Sequence, residues 1–493
     1  MPPRNIPLSA LGLTARGGAN PVITGLAVDS RRVKPGYLFA AMPGSRMHGA
    51  EFIEFALRMD AAAVLTDPDG AAMAGDVLAG SKVAIVVTDA PREALSRAAA
   101  LWYGAQPETM VAVTGTNGKT SVASFVQQIW SALGHPAVNL GTNGVEGDWN
   151  APLAHTTPEP ITLHRVLAEA KAVGITHAAM EASSHGLDQR RLDGVMLKAA
   201  GFTNFSQDHL DYHESFDAYF DAKAGLFARV LSEDGTAVIN IDDPRGVDMM
   251  AMAKARGQSI IMVGRDSGDL RLSGQRFDAT GQDIRLTYQA KTAQVRLALI
   301  GGFQAENVMV AAGLVIACGG TFSDVVEVLP GLETVRGRMQ LAARRSNGGS
   351  VFVDYAHTPD AVRTALKALR PHVMGRLIVV LGAGGDRDRG KRPLMGAAAA
   401  ENADVVFVTD DNPRSEDPAT IRAAVMEGAP QATEVGDRAE AILRAVDALE
   451  TGDALLIAGK GHETGQVVGD AILPFDDTEQ ASVAVAALEG RLA

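Results

Sequence analysis

Val111-Ala112-Val113-Thr114-Gly115-Thr116-Asn117-Gly118-Lys119-Thr120 is an apolar run that breaks into a Gly-Lys-Thr loop. Beyond it, Val122, Phe125, Val126, Ile129, Trp130 and Leu133 recur at helical spacing from Ser121 onward. Strand, glycine loop and helix in that order make a cradle for phosphate. The amides of Gly115 to Ser121 and the helix N-terminus face an anion, Lys119 adds a point charge, and the Thr120 hydroxyl suits magnesium. Val113 stands where the general phosphate-loop pattern has its first glycine. A purely structural turn is the plain alternative, and the Gly-Lys-Thr ending speaks against it. The expected ligand is a nucleoside triphosphate.

Working outward, 493 residues suffice for about three domains. An apolar fraction of 46% supports buried cores, and 52 glycines suit many strand-to-helix turns. The formal charge of −13 argues against general nucleic-acid binding, which needs a basic surface. One cysteine, Cys318, lies in the apolar run from Leu314 and is expected to pack in a core, so neither a disulfide nor a cysteine metal site is expected. Met1 to Thr14 lacks the apolar core of a signal peptide, and no stretch has the length of a membrane span. The expectation is a cytoplasmic chain, without membrane insertion, acting on small molecules as a monomer.

The pattern is α/β throughout, in three domains. Residues 22–105 alternate short apolar runs (Tyr37 to Ala41, Ala61 to Thr66, Val83 to Thr88) with helical stretches such as Phe52 to Met59, a small N-terminal α/β domain ending at 106. The central domain, 107–338, carries the phosphate loop on a parallel sheet with further strands at Thr176 to Met180, Ala199 to Thr203 and Thr236 to Asn240. Alternation over 283–300 predicts antiparallel hairpins. The last domain, 339–493, has strands at Val351 to Val353, Leu377 to Leu381, Val405 to Thr409 and Ala454 to Ala458. Three of these run into polar loops: Gly382 to Arg387, Asp410 to Arg414 and Gly459 to Glu463. Ligands bind beyond the carboxyl ends of parallel strands, so the three loops are expected to converge. Their mixture of cations and a carboxylate suits a zwitterion; solvated turns are the alternative.

In the central domain, Glu181 follows one strand, and the stretch Asn204 to His213 follows another. Beside a phosphate loop, Glu181 and His209 are plausible magnesium ligands. Lys223, flanked by Asp217 and Asp221 on an amphipathic stretch, reads from patterning alone as a surface lysine.

These residues together resemble the Mur ligase family, ATP-dependent amide-forming enzymes of peptidoglycan precursor synthesis. The family's phosphate loop has the form found at Thr114 to Thr120, without the first glycine. Thr156-Thr157-Pro158-Glu159, Glu181-Ala182-Ser183-Ser184-His185, Asp208-His209-Leu210-Asp211-Tyr212-His213 and Asp354-Tyr355-Ala356-His357-Thr358-Pro359 are similar to its signatures, in the same order. The resemblance implies a uridine-nucleotide domain, a central ATPase domain and a Rossmann-like domain for the incoming amino acid. It implies that Ser30, in Asp29-Ser30-Arg31, and Thr156, Thr157, Ser183, Gln189 and Arg191 bind UDP-N-acetylmuramoyl-L-alanyl-D-glutamate. Asn307, Arg338, Asp354 and His357 match residues that enclose ATP. Lys223 matches a lysine carbamylated in these enzymes, which replaces the surface reading: as N6-carboxylysine it joins Thr120, Glu181 and His209 as a magnesium ligand. Lys119, Glu181, His209 and Lys223 are thereby the implied catalytic set, with Mg2+ as cofactor and ATP as co-substrate. One departure is His48, where relatives more often carry an Asp before the glycine.

The implied reaction is amide formation through an acyl phosphate. Asp411-Asn412-Pro413-Arg414 is the form found in diaminopimelate-adding members; lysine-adding members lack the arginine. Meso-diaminopimelate carries a distal carboxylate that L-lysine lacks, and an arginine fork can hold it bidentately. Arg387 is a second candidate for that carboxylate. Asn412, Gly459 and Glu463 are candidates for the distal ammonium and neighbouring groups, with Asp411 and Pro413 completing the loop. The alternatives are a lysine-adding ligase and, from another class, a nucleotide-dependent switch protein.

Overall fold

A computed structural model describes residues 5–44, 47–206 and 212–491. His209, and with it Gln207 to Asp211, lies outside the described residues. The chain forms two compact units, Met1–Val263 with Val310–Thr321, and Gly264–Met309 with Phe322–Ala493.

The first unit begins with a four-stranded parallel sheet in sequence order: Gly25–Ala27, Tyr37–Ala40, Ala63–Thr66 and Ala84–Val87. Its helix Pro91–Tyr103 turns Leu95, Ala98, Ala99 and Trp102 into the core and ends on Gly104 in the left-handed conformation. That helix also ties this sheet to the next layer, because Ser96 Oγ donates to Arg191 O and accepts from Gly194 N.

The unit's second sheet places Thr109–Thr114 between Ala199–Phe202 and His177–Glu181, all parallel. Ser259–Gly264 and Thr236–Asn240 lie on one side, and Ala137–Gly141 and the antiparallel Gly144–Gly147 on the other. The central strands are buried on both faces, which is why they read as unbroken apolar runs rather than alternating ones. Register aligns their carboxyl ends: Val113 faces Glu181, and Thr114 faces Phe202.

In the second unit, Leu270–Asp278, Gly281–Tyr288 and Lys291–Leu297 form an antiparallel meander. The six-stranded sheet runs Gln340–Arg344, Ser350–Asp354, Ala454–Ala458, Leu377–Leu381, Val405–Val408, Thr433–Glu434, parallel except at its first pair. The strands that feed the three polar loops are thus adjacent. Cys318, which belongs to the first unit, is half-buried, and burial pushes its thiol up to about 12, so it is inert at neutral pH. Among the described residues no helix is long and apolar enough to cross a membrane.

Beneath the polar loops, Arg438 and Asp477 form an ion pair with both side chains fully buried. Arg438 Nε and Nη2 donate to the two carboxylate oxygens at 2.8 and 2.6 Å, and its guanidinium also reaches Asp410 O and Ala458 O. One arginine therefore pins two strand ends. Asp477→Ala is expected to destabilise this unit by about 3–5 kcal/mol in urea unfolding, because it strands a buried cation. A loss below about 1 kcal/mol, the range of an exposed pair, would contradict a structural role for it.

Candidate active site

The strand Thr109–Thr114 ends in a loop whose shape two glycines permit. Gly115 and Gly118 have φ of +147° and +86°. A Cβ on Gly115 would stand 1.9 Å from Thr203 Oγ1, so no other residue fits. The helix Lys119–Ala132 starts directly behind it. Lys119 folds back over the loop, its Nζ donating to Gly115 O and Thr116 O, both at 2.9 Å.

The neighbouring strand ends supply the rest. Thr116 N and Asn117 N donate to the backbone and side-chain oxygens of Asn204, and Thr203 Oγ1 donates to Asn117 O at 2.6 Å. On the other side Thr120 Oγ1 donates to Glu181 Oε2 at 3.0 Å, and Thr142 N donates to Glu181 Oε1 at 2.8 Å. Glu181 is buried. Lys223, 1% exposed, donates from Nζ to Gly115 O at 2.7 Å and lies 4.4 Å from the Tyr219 ring centroid. The flanking aspartates had suggested a surface residue; the helix Phe216–Gly225 instead turns Lys223 inward with Tyr219 and Phe220.

Behind Glu181 lies a second polar group. Thr157 Oγ1 donates to Glu181 O and accepts from Ser183 N, and Ser183 caps the helix Ser184–Asp188. Arg191 donates to Thr157 O and to Gln189 Oε1, while Gln189 donates to the Tyr212 hydroxyl. Thr156 Oγ1 lies 3.0 Å from Thr142 Oγ1. Thr156, Thr157, Ser183, Gln189 and Arg191 thus form one connected patch that shares Glu181 with the phosphate loop. Ser30 stands apart, opening the short turn Ser30–Arg32 that Asp29 caps. His48 does the capping work that an aspartate would do: its Nδ1 accepts from Ala50 N at 2.9 Å, and Nε2 meets Asp67 Oδ1 at 3.1 Å.

The second unit carries the remaining residues. Asn307 donates to Gln304 Oε1 within its helix. Asp354 accepts from Met339 N and Ala356 N, and burial raises its carboxyl above the usual range. Arg338 stacks over the Tyr355 ring at 4.7 Å, and Tyr355 packs against His357 and His462. Burial, with Arg338 nearby, lowers His462 to about 4, so it is neutral at pH 7.

The three loops do converge. Arg414, at φ +52°, donates to Gly385 O at 2.8 Å. Asn412 Nδ2 donates to Glu463 Oε2 at 2.9 Å. Gly459 stands at φ +116°, which residues with a side chain rarely adopt, and a Cβ there would also meet Asp411 Oδ2 at 2.5 Å. Pro413 O lies against Gly385, and Arg387 is exposed at the rim. Two cations, a carboxylate and an amide therefore share one strand-end surface.

Reading residue by residue missed several participants. Thr203 and Asn204, just past the strand Ala199–Phe202, brace the phosphate loop, and Asn204 opens a polar stretch already noted; Thr142 holds Glu181, after a strand too short and polar to read from sequence. Lys460 is fully buried and donates to Asn412 Oδ1 and Glu463 Oε2. It lies in a loop already singled out, but burial of a lysine between two glycines leaves no sequence pattern.

Comparison with known proteins agrees with this geometry. Three family models match in order: the Mur ligase family catalytic domain at residues 22–103, the Mur ligase middle domain at 113–315, and the Mur ligase glutamate ligase domain at 337–461. A relative from Caulobacter vibrioides, named UDP-N-acetylmuramoyl-L-alanyl-D-glutamate–2,6-diaminopimelate ligase, is 49% identical over 96% of this chain and 96% of its own. One of the same name from Bradyrhizobium diazoefficiens is 49% identical over 94% and 95%. A solved structure of a ligase of that name superposes with a TM-score of 0.72 at 32% identity, covering 99% of both chains. With a phosphate loop, a buried glutamate beside it and a convergent strand-end site, matched over nearly its full length by these relatives, the chain belongs to the Mur ligase family.

Proposed function

We propose that the chain is an ATP-dependent ligase joining meso-diaminopimelate to the D-glutamyl carboxylate of UDP-N-acetylmuramoyl-L-alanyl-D-glutamate, releasing ADP and phosphate. The observation that carries the reading is Arg414 on the converged loops, in a chain whose relatives at 49% identity are named for this ligation. The proposed division of labour is 1–106 for the uridine nucleotide, with Ser30 contributing, 107–338 for ATP, and 339–493 for the amino acid.

In the first step a glutamyl carboxylate oxygen attacks the γ-phosphorus, the bond to the ADP oxygen breaks, and an acyl phosphate forms. Both reactants are anions. Lys119 and the loop amides hold the phosphates against that repulsion, so positioning and electrostatics do most of the work. Arg191, already clamped by Thr157 O and Gln189, is oriented to meet the dipeptide, with Thr156 and Ser183 beside it. In the second step the amine nitrogen attacks the acyl carbon, the tetrahedral intermediate expels phosphate, and the amine's proton leaves. Asn307, Arg338, Asp354 and His357 are assigned to ATP.

The donor set beside the loop fits magnesium. Thr120 Oγ1 and the Glu181 carboxylate are in contact, and both are hard oxygen ligands. Among the described residues no three His, Cys, Asp or Glu side chains cluster as metal ligands, so further oxygens must come from elsewhere. A carbamate on Lys223 is the proposed oxygen source, and His209 is proposed to add a ring nitrogen. A carbamate keeps an N–H for Gly115 O while exchanging the positive charge for two oxygens. When bound, magnesium supplies charge neutralisation on the phosphates. The proposed setting is the cytoplasm, as a monomer.

Arg414 and Arg387 are assigned to the distal carboxylate of diaminopimelate. With L-lysine bound, a desolvated Arg414 would lack its anion, which is what separates the two amino acids.

Phosphate release from ATP with the UDP-dipeptide should require meso-diaminopimelate and be weak with L-lysine. Equal release with lysine would leave a ligase of different specificity, and release needing no amino acid would favour a switch protein. Arg414→Ala should lower kcat/KM for diaminopimelate by about 100-fold or more while the KM for ATP stays put; unchanged kcat/KM would refute its role. Lys223→Gln should cut turnover by about 100-fold or more while ADP binding, read by calorimetry, persists. Full turnover in that variant would remove Lys223 from the mechanism.

A further inference from the structure

Lys460 has no role in the ligation as set out above. Its side chain is fully buried between Gly459 (φ +116°) and Gly461 (φ +55°), at the carboxyl end of the strand Ala454–Ala458. A buried ammonium is costly unless paired and hydrogen-bonded. Its Nζ donates to Asn412 Oδ1 at 3.1 Å and lies 3.4 Å from Glu463 Oε2.

Asn412 Oδ1 also accepts from Val467 N at 2.9 Å. An amide oxygen has two lone pairs, and here both are taken. The amide is therefore locked in one orientation: flipped, its NH2 would face an ammonium and an N–H. Locked, Nδ2 gives one proton to Glu463 Oε2 at 2.9 Å and keeps the other. Asn412 then has no acceptor to offer an ammonium. Glu463 has Oε2 committed to two donors, while Oε1 takes no hydrogen bond among the described residues.

We propose that Lys460 is a positioning residue for the amino-acid site, fixing Asn412 as a donor toward carboxylate and leaving Glu463 as the group that receives the distal ammonium. This rests on the reading of these loops as the diaminopimelate site. What it adds to that reading is the part of Lys460, which holds in one orientation an amide that could otherwise flip.

Steady-state kinetics of the full chain with meso-diaminopimelate and with 2-aminopimelate, which lacks the distal amine, test it. Wild-type protein should have the lower KM for diaminopimelate. Lys460→Met should narrow that KM ratio by about tenfold, the loss of one well-placed interaction, with the KM for ATP unchanged. Lys460→Gln, too short to reach Asn412, should do the same and carries the test where the methionine variant does not fold. A purely structural lysine would raise both KM values together and keep their ratio. An unchanged ratio in either folded variant overturns the role of Lys460 alone. Wild-type protein with no diaminopimelate-dependent turnover overturns the functional reading and this role with it.

Discussion

Two lysine ammonium groups meet at one carbonyl oxygen: Gly115 O accepts from Lys119 Nζ at 2.9 Å and from Lys223 Nζ at 2.7 Å. Like charges held this close in a buried setting repel, and burial reduces the solvent screening between them. The arrangement persists because Gly115 has no side chain, because Thr203 and Asn204 hold the loop backbone, and because the helix Phe216–Gly225 buries Lys223 with aromatic neighbours. It is a site built for negative charge. Triphosphate brings that charge, and a carbamate on Lys223 would convert one of the two cations into part of the answer.

The second unit solves the opposite problem with the same means. Its loops bring cations and a carboxylate to one strand-end surface without collapsing onto one another. Arg438 is neutralised from below by Asp477, and Lys460 by Glu463 with a hydrogen bond to Asn412, so buried charge is balanced locally. Above them Arg414 donates to Gly385 O, and Arg387 is exposed. A buried pair of this kind contributes little net stability against an apolar pair of the same shape; what it adds is orientation, since Arg438 also holds Asp410 O and Ala458 O.

Much of this was legible in the sequence, for reasons that differ by element. Leu377–Leu381 and Ala454–Ala458 are buried on both faces, so their apolar runs mark the strands to the residue. Thr109–Thr114 is marked by the loop that follows it. Ala137–Gly141 reads Ala-Val-Asn-Leu-Gly, too short and too polar to stand out, and its pairing with His177–Glu181 is what makes it a strand. Leu270–Asp278 carries a bulge between Leu272 and Gly274 that breaks its alternation. At the site, Glu181 was legible because it ends a strand beside the loop strand. Lys223 was not legible from patterning, since Asp217 and Asp221 signal solvent while tertiary packing turns the lysine inward; only the resemblance identified it. Lys460 was legible by neither route.

The central claim is that the ligation runs through an acyl phosphate, and the most direct test follows one oxygen atom. With 18O in the glutamyl carboxylate of the UDP-dipeptide, turnover with meso-diaminopimelate should place one labelled oxygen in the released phosphate, because the carboxylate oxygen that attacks phosphorus leaves with it. Phosphate without label, while the new amide keeps one labelled oxygen, would mean that the displaced carboxylate oxygen left by another route, and would contradict the account.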